Sequence, residues 1–165
     1  MSDGDQGLAG SLRVQGFIDG GLDSASYQPV PELWARIPAE AMDVVAPANR
    51  IGRGWSPTSV LIECRLGAMP GDEVVTLGVE HELRDVFSGN GSVRPLADIP
   101  GRGKTVGLAG GFLYEGMDLW SDTQYVFDSS RLVLRQQTFT CELSRRNEYI
   151  DAMREIRDWF MTIVQ

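Results

Sequence analysis

Residues with acid–base or nucleophilic side chains are few in this chain, and a catalytic site would depend on its single histidine. A Ser/His/Asp or Cys/His arrangement must include His81, and Glu115 is a candidate carboxylate partner. His81 lies between Glu80 and Glu82 on a predicted helix, which indicates a histidine on the polar surface of that helix. We therefore predict that the protein is not an enzyme. A small hydrolase-like enzyme that uses His81 with a carboxylate is the alternative.

The two cysteines give no pattern typical of a metal site. Cys64 and Cys141 both occur in apolar, strand-like segments, where a free cysteine behaves as a small hydrophobic side chain. One disulfide between them is the alternative if the protein is exported, and the sequence does not give their separation. We predict neither a metal nor another cofactor.

A Gly-Lys-Thr triplet at residues 103–105 invites comparison with a phosphate-binding loop. The comparison fails because Asp98 stands where the motif requires its first glycine. A strand pattern also follows Thr105, whereas the motif requires a helix whose N-terminus faces the phosphate. We interpret the segment as a turn.

Four aromatic residues are the better candidates for a binding site. They come from segments expected to meet around one end or face of the sheet, and tryptophan and tyrosine commonly line grooves that accept apolar groups. Trp55 lies in a loop rich in glycine and proline and is therefore the strongest candidate for an exposed aromatic. Burial in the core is the alternative for each of the four, which are Trp34, Trp55, Tyr114 and Trp120.

Charge and hydropathy limit the classes of partner. The chain has 15 lysines and arginines against 23 aspartates and glutamates, a formal net charge of −8 at pH 7, which repels phosphate backbones and anionic lipid surfaces. No apolar run approaches the roughly 20 residues of a membrane helix, and the chain does not begin like a signal peptide. We predict no nucleic-acid partner, no direct membrane insertion and a cytoplasmic location.

The elements that position these residues start after a flexible leader at residues 1–11. Residues 12–18 predict a short strand or an ordered tail. The proline-rich residues 27–38 predict an edge strand or hairpin, because proline removes donors from a sheet ladder. A second short apolar segment follows at 42–46. Residues 59–66 alternate clearly and predict a strand with one face in the core and the other half exposed.

A helix and a set of long strands complete the pattern. Asp72 is a plausible N-cap for a helix running to about Phe87, whose apolar residues recur every three or four positions. Three glycines in the first long strand, Gly107, Gly110 and Gly111, indicate a bulge or the close approach of another backbone. The long strands are predicted at residues 105–117, 118–127 and 131–141, the last two paired as an antiparallel hairpin.

An amphipathic helix at residues 144–165 closes the chain, with Ser144 as its expected N-cap. Its predicted apolar face consists of Tyr149, Met153, Ile156, Phe160 and Ile163. An antiparallel sheet covered by a closing helix is an α+β architecture.

The series of motifs over residues 27–165 resembles the LpqN-type lipoproteins of actinobacteria, within the PsbP-like and DcrB-like superfamily. The series comprises a proline-rich strand with Trp34, the Gly-Trp-Ser-Pro-Thr-Ser-Val entry into a strand at 54–60, a helix, Gly103-Lys104, three long strands and a closing helix. The resemblance implies a single domain over residues 12–165, with a curved antiparallel sheet of about six strands flanked by helices.

The resemblance also implies a non-catalytic binding or accessory function. Members of that superfamily include cell-envelope and transport proteins and chaperones that shield apolar segments of secreted effectors. Because this sequence shows neither a signal peptide nor a lipidation cysteine, we favour a chaperone-like protein that holds an apolar protein segment or a lipid-like ligand. A self-assembling structural subunit, such as a homodimer paired through a sheet edge, is a further alternative.

Overall fold

The structure is a computed structural model of the chain. It describes the following residues: 7–18, 23–24, 34–37, 43–47, 57–88, 90–94 and 104–163.

Three helices and eight strands occur in the described part of the chain. The helices are α1 (Gly7–Val14), α2 (Asp72–Asp85) and α3 (Arg146–Ile163), and a 3-10 turn at Leu143–Arg145 precedes α3. The strands are β1 (Asp23–Ser24), β2 (Trp34–Ile37), β3 (Asp43–Pro47), β4 (Thr58–Arg65), β5 (Gly91–Arg94), β6 (Thr105–Tyr114), β7 (Met117–Asp128) and β8 (Val133–Glu142).

The strands form one antiparallel sheet, which confirms the predicted α+β class. Its order is β2-β3-β4-β8-β7-β6-β5, and β1 pairs with β4. The β7–β8 hairpin is central, and the proline-rich segment supplies the terminal strand β2 as predicted. The sheet has more than the expected six or so strands because β1, β2, β3 and β5 are pieces of only two to five residues.

Alternation along the long strands distributes the core over both faces of the sheet. On β7, Tyr125 and Phe127 belong to the cluster that packs under α1 and α2. Trp120 and Val126 point the other way, toward buried residues of α3. Burial of apolar area on both faces stabilises the fold at about 25 cal/mol per Å². The prediction that one face of β4 is half exposed is wrong at Leu61, which is fully buried against Phe160.

The N-terminal segment departs from its prediction. Residues 7–14 form helix α1, whereas residues 12–18 predicted a short strand or an ordered tail, and the helix begins inside the segment predicted as a leader. Leu8 and Leu12 are fully buried. They are four residues apart, which places them on one helical face. Tertiary packing against α2 therefore selects a helix over the weak alternation in the sequence.

Helix α2 matches its predicted stripe, with Val75 and Val79 buried. Its N-cap is Gly71 and not Asp72, whose carboxylate accepts a bond from Lys104 at 2.7 Å. Helix α3 buries Tyr149, Met153, Ile156 and Phe160 as predicted. It begins at Arg146 because Ser144 lies within the 3-10 turn rather than at an N-cap.

The turn between β6 and β7 lies at Glu115-Gly116, earlier than the predicted strand boundary after Met117. Both turn residues have positive φ, 49° at Glu115 and 80° at Gly116. Two such residues make a type I′ turn, whose twist matches that of an antiparallel pair. The sequence does not predict this turn because its first residue is Glu115, whereas type I′ turns usually have asparagine, aspartate or glycine there.

Gly110 confirms the predicted close approach of another backbone. A Cβ atom there would lie 2.7 Å from the Gly91 Cα and 2.9 Å from Phe87 Cδ1. We expect Gly110→Ala to lower the free energy of unfolding by about 1–3 kcal/mol, because the β5 backbone and a packed ring must both move. Urea denaturation measures the change. The matched control is Gly111→Ala, whose Cβ would meet nothing closer than 3.6 Å, and an equal loss in both variants would contradict this account.

The structure excludes a bond between the two cysteines. Cys64 lies opposite Leu134, and Cys141 is seven residues farther along β8, a separation of about 23 Å. They also belong to clusters on opposite faces of the sheet. Both thiols are buried and neither forms a disulfide, and burial raises the pKa of Cys141 to about 11. The prediction of small apolar side chains is confirmed.

Candidate functional site

A groove of about 560 Å³ lies beside the first residue of β5, where the described part of β6 extends past β5 and remains paired with β7. Gly91, the first residue of β5, pairs with Gly110, so β6 extends four residues past its neighbour to Tyr114. Directly before β5, the Asn90 N–H donates to the Phe87 carbonyl at 2.9 Å. We call this cleft the edge groove. It is lined by Phe87, Ser88, Asn90, Ser92, Ala109, Gly110, Gly111, Phe112, Leu113, Asp118, Trp120, Leu143 and Arg146.

One wall of the edge groove is formed on the α3 face of the sheet. Trp120 lies opposite Gly111 in the β6–β7 register. The guanidinium of Arg146 lies over the Trp120 ring, 4.6 Å from its centroid, an arrangement favoured by the negative face of the ring. Leu143, 42% exposed, adds an apolar side chain from the 3-10 turn. Because Gly111 has no side chain, the floor beside Trp120 stays open.

The other wall is formed on the α2 face. Phe87, which follows helix α2, meets Phe112 of β6 edge to face, with 6.2 Å between ring centroids. Phe87 is almost fully buried and Phe112 is partly buried, so this wall is fixed by the core beneath it. The groove therefore has a largely buried aromatic ring at its base on each face of β6, and polar residues make up much of its open lining.

Of the predicted aromatics whose side chains the structure describes, Trp120 lines this groove and Tyr114 does not. Trp120 is only 5% exposed, so most of its surface is buried in the core, as the alternative prediction states. Tyr114 is 42% exposed at the end of β6, and alternation along that strand places it on the α2 face, opposite the face of Trp120. Trp34 lies on β2, four strands away from β7, about 19 Å across the sheet. Trp55 lies outside the described residues.

Sequence reasoning missed most of the groove's lining. Phe87 was interpreted only as the end of α2, and Phe112 as one residue of a long strand. Leu143 and Arg146 precede Tyr149, the first residue of the predicted apolar face of α3. A leucine outside that face and close to two arginines was the available signal for an exposed apolar residue. The pairing of β5 with only part of β6, which opens the groove, has no local sequence signal.

The residues of the alternative catalytic site do not line the edge groove. His81 lies on α2 and Glu115 in the turn between β6 and β7. Within the described residues, no cluster of three or more histidine, cysteine or acidic side chains is arranged to hold a metal ion. The strand predicted after the Gly-Lys-Thr triplet is confirmed, because Thr105 begins strand β6, and the Lys104 ammonium pairs with Asp72. Gly103 lies outside the described residues, so the turn itself stays a prediction.

A buried ion-pair chain runs beneath the α3 side of the sheet. Arg135 is 5% exposed and donates to the Asp128 carboxylate at 3.0 Å and to Glu63 at 3.2 Å. Burial by itself raises the pKa of Asp128. Bonds from Ser130, Arg135 and the Arg131 N–H outweigh burial and lower that pKa to about 2. Arg135 of β8 therefore joins β7 through Asp128, which is ionised at neutral pH, and β4 through Glu63.

A second buried carboxylate joins the helices to the other face. Glu82 accepts bonds from the Tyr125 hydroxyl, at 2.8 and 3.0 Å, and from the Leu8 N–H at 3.1 Å. Burial raises the pKa of Glu82, while the bonds from Tyr125 and Leu8 oppose that effect. Glu82 thus connects α1, α2 and β7 and is not on a polar helix surface.

Comparison of the whole structure with solved structures identifies an LpqN-like fold. LpqN of Mycobacterium tuberculosis, a protein involved in cell envelope biogenesis, aligns with a TM-score of 0.59 and 16% identity, over 84% of this chain and 81% of that one. PA94 of Pseudomonas aeruginosa, a protein of unknown function, aligns with a TM-score of 0.49 and 15% identity, over 82% and 92%. No family model and no curated protein matches the chain. At such identities the likeness concerns the fold alone.

Among the described residues, no helix has both the length and the apolar character needed to cross a membrane.

Proposed function

We propose that the protein is a non-catalytic binding protein that holds an apolar segment of a partner protein, or a lipid-like ligand, in the edge groove. The observation that carries this proposal is the groove itself, about 560 Å³ with aromatic walls on both faces of β6. Concave sites of this size that combine apolar side chains with polar groups are typical ligand sites. Trp120 and Leu143 are the proposed contacts on one wall, and Phe87 and Phe112 on the other.

The exposed side chains around the groove support a site for a partner. Leu113 is 70% exposed and Leu143 is 42% exposed, and both line the same groove. Clustered exposed apolar residues next to polar ones are a common mark of an interaction surface. Arg146 and Asp118 supply one charge of each sign at the rim, which favours an occupant with polar as well as apolar groups.

The setting that we propose is an accessory, chaperone-like function in secretion or in transport at the cell envelope. The LpqN-like fold supports this setting through LpqN itself, which is involved in cell envelope biogenesis. The wider PsbP-like and DcrB-like relationship is part of the same proposal, as is action in the cytoplasm.

A charge placed in the groove tests the proposal. We expect Leu143→Glu to weaken binding of the neutral apolar dye Nile red by about tenfold, because a carboxylate must then be desolvated against the bound dye. Fluorescence titration measures the affinity. The same substitution should remove a partner protein captured from a cell-envelope extract by the unaltered protein.

The matched control is Leu77→Glu on helix α2. Leu77 is 43% exposed, against 42% for Leu143, and it does not line the groove. We expect this variant to bind dye and partner as the unaltered protein does. Equal binding by all three proteins, or equal loss in both variants, would show that the groove is not the binding site.

A further inference from the structure

We propose that Asn90, in the lining of the edge groove, is a site of spontaneous deamidation, which converts it to aspartate or isoaspartate and loosens the start of strand β5. This inference concerns a covalent modification and does not rest on the proposed function. Asn90 is followed by Gly91, and asparagine cyclises most readily before glycine because no side chain shields the main-chain nitrogen. The chain's two other asparagines, Asn49 and Asn147, are followed by arginine and glutamate.

The reaction needs only the chain and water. The Gly91 main-chain nitrogen gives up its proton and bonds to the Asn90 Cγ, and the Cγ–Nδ2 bond breaks as ammonia leaves with that proton. Water then opens the cyclic succinimide. Cleavage of the new Cγ–N bond gives aspartate. Cleavage of the original bond from the Asn90 carbonyl carbon to that nitrogen gives isoaspartate, whose main chain passes through Cβ and Cγ.

Both reacting groups are accessible in the folded chain. The Asn90 side chain is exposed, and no hydrogen bond in the described part of the chain holds its amide. Tyr114 and Met117 flank a two-residue type I′ turn and exchange hydrogen bonds, and bonding direction alternates along each strand from there. Gly91 pairs with Gly110, whose N–H and C=O face β7, so the Gly91 N–H points away from β6. Among the described residues, nothing accepts that N–H.

Packing fixes glycine at the position after Asn90. A Cβ atom on Gly91 would lie 2.7 Å from Phe87 Cδ2 and 3.0 Å from Leu83 Cδ2. A side chain at position 91 would therefore displace the aromatic ring beneath the groove. The fold thus requires the residue before which asparagine cyclises most readily.

Each product changes the start of β5. The Asn90 N–H donates to the Phe87 carbonyl at 2.9 Å, and β5 begins at the next residue. Isoaspartate adds one atom to the main chain between that bond and Gly91, so the bond and the strand register cannot both be kept. We therefore expect faster hydrogen exchange of the β5 amides. Aspartate keeps the main chain and adds a negative charge to the groove lining.

Mass spectrometry of the full chain, incubated in mildly alkaline buffer and then digested with trypsin, tests the site. Cleavage after Arg84 and Arg94 isolates Asn90 in the peptide 85–94, and cleavage after Arg146 isolates Asn147 in the peptide 147–154. We expect Asn90 to deamidate at least about tenfold faster than Asn147, because the main chain after Asn147 is held in helix α3 and carries a side chain. A sample digested before incubation gives the background.

Incubation in urea shows whether the fold leaves the site accessible. We expect the rate at Asn147 to rise on unfolding and the rate at Asn90 to change by less than about threefold. Asn90→Gln is the matched variant, since it keeps a neutral amide whose longer side chain cyclises much more slowly. After the same incubation this variant should keep its original hydrogen exchange in β5, whereas exchange in the unaltered protein should become faster.

Equal rates at Asn90 and Asn147 in the folded chain, or protection of Asn90 that only urea removes, would overturn the modification site. Deamidation with β5 exchange identical to that of incubated Asn90→Gln would overturn the loosening of β5. Nile red binding by freshly prepared protein tests the groove separately, so failure of this proposal and failure of the proposed function are distinguishable.

Discussion

Replacing Arg135 with methionine is expected to lower the free energy of unfolding by about 3–5 kcal/mol, the cost of leaving a buried charge without its partner. Asp128 is fully buried and Arg135 is 5% exposed, so little solvent screens their contact. Methionine retains an apolar side chain of similar length, which limits the packing change. Urea denaturation at pH 7 measures the loss.

Two further variants separate the charge from other effects. Arg131→Met removes an arginine near the same aspartate, but Arg131 is exposed and contacts Asp128 through its main-chain N–H, so we expect almost no change. Adding Asp128→Asn to Arg135→Met should recover part of the lost stability, because the uncompensated charge is removed. A double variant no more stable than Arg135→Met would show that the loss comes from packing.

The Arg135–Asp128 ion pair should make the folded protein less stable as the pH falls. The folded pKa of Asp128 is lowered to about 2 from an ordinary value of 3.8. Its contribution, about 2 kcal/mol, is therefore complete above roughly pH 4 and is lost as the pH falls toward 2. In Arg135→Met the loss should begin at higher pH, because burial then raises the pKa of Asp128 with less opposition.

Removal of the Glu82 carboxylate has the second large expected effect. Glu82→Ala leaves the Tyr125 hydroxyl and the Leu8 N–H without their acceptor in the core, and we expect a loss of about 2–4 kcal/mol in the free energy of unfolding. The loss should concentrate at α1, whose Leu8 is held by this bond. Hydrogen exchange of the α1 amides, beside urea denaturation, measures both consequences.

Glu82→Gln is the control, since its side-chain oxygen keeps an acceptor of the same size. Because the folded pKa of Glu82 is raised above 4.5, the folded protein holds this proton more tightly than the unfolded chain does. The stability of the unaltered protein should fall as the pH rises from about 4.5 through the folded pKa, and Glu82→Gln should lack this component. Parallel pH profiles for the two proteins would contradict the assignment.

For the two buried carboxylates, Glu82 and Asp128, the sequence gives their place in an element but not their partners. Glu82 continues the α2 stripe of Val75 and Val79, at a three-residue step from Val79, so its burial was visible in the helical period. Its partners Tyr125 and Leu8 come from distant parts of the chain, and only the packed fold brings them together. Asp128 falls in the connection between the strands predicted at 118–127 and 131–141, and it accepts bonds from Ser130 in that turn, but nothing local indicates Arg135 as its partner.

Regular patterns by themselves determined much of this protein. Alternation predicted β4, β6, β7 and β8, the three-to-four-residue period predicted α2 and α3, and proline placed β2 at an edge, because each depends on neighbours within a few residues. Tertiary structure alone decided that residues 7–14 form a helix and that Trp34 lies far from Trp120. It also decided that β5 begins opposite Gly110, so that β5 does not pair with the last four residues of β6. The edge groove arises from that last difference in strand length, which depends on the pairing of Gly91 with Gly110 and not on any residue's own preference.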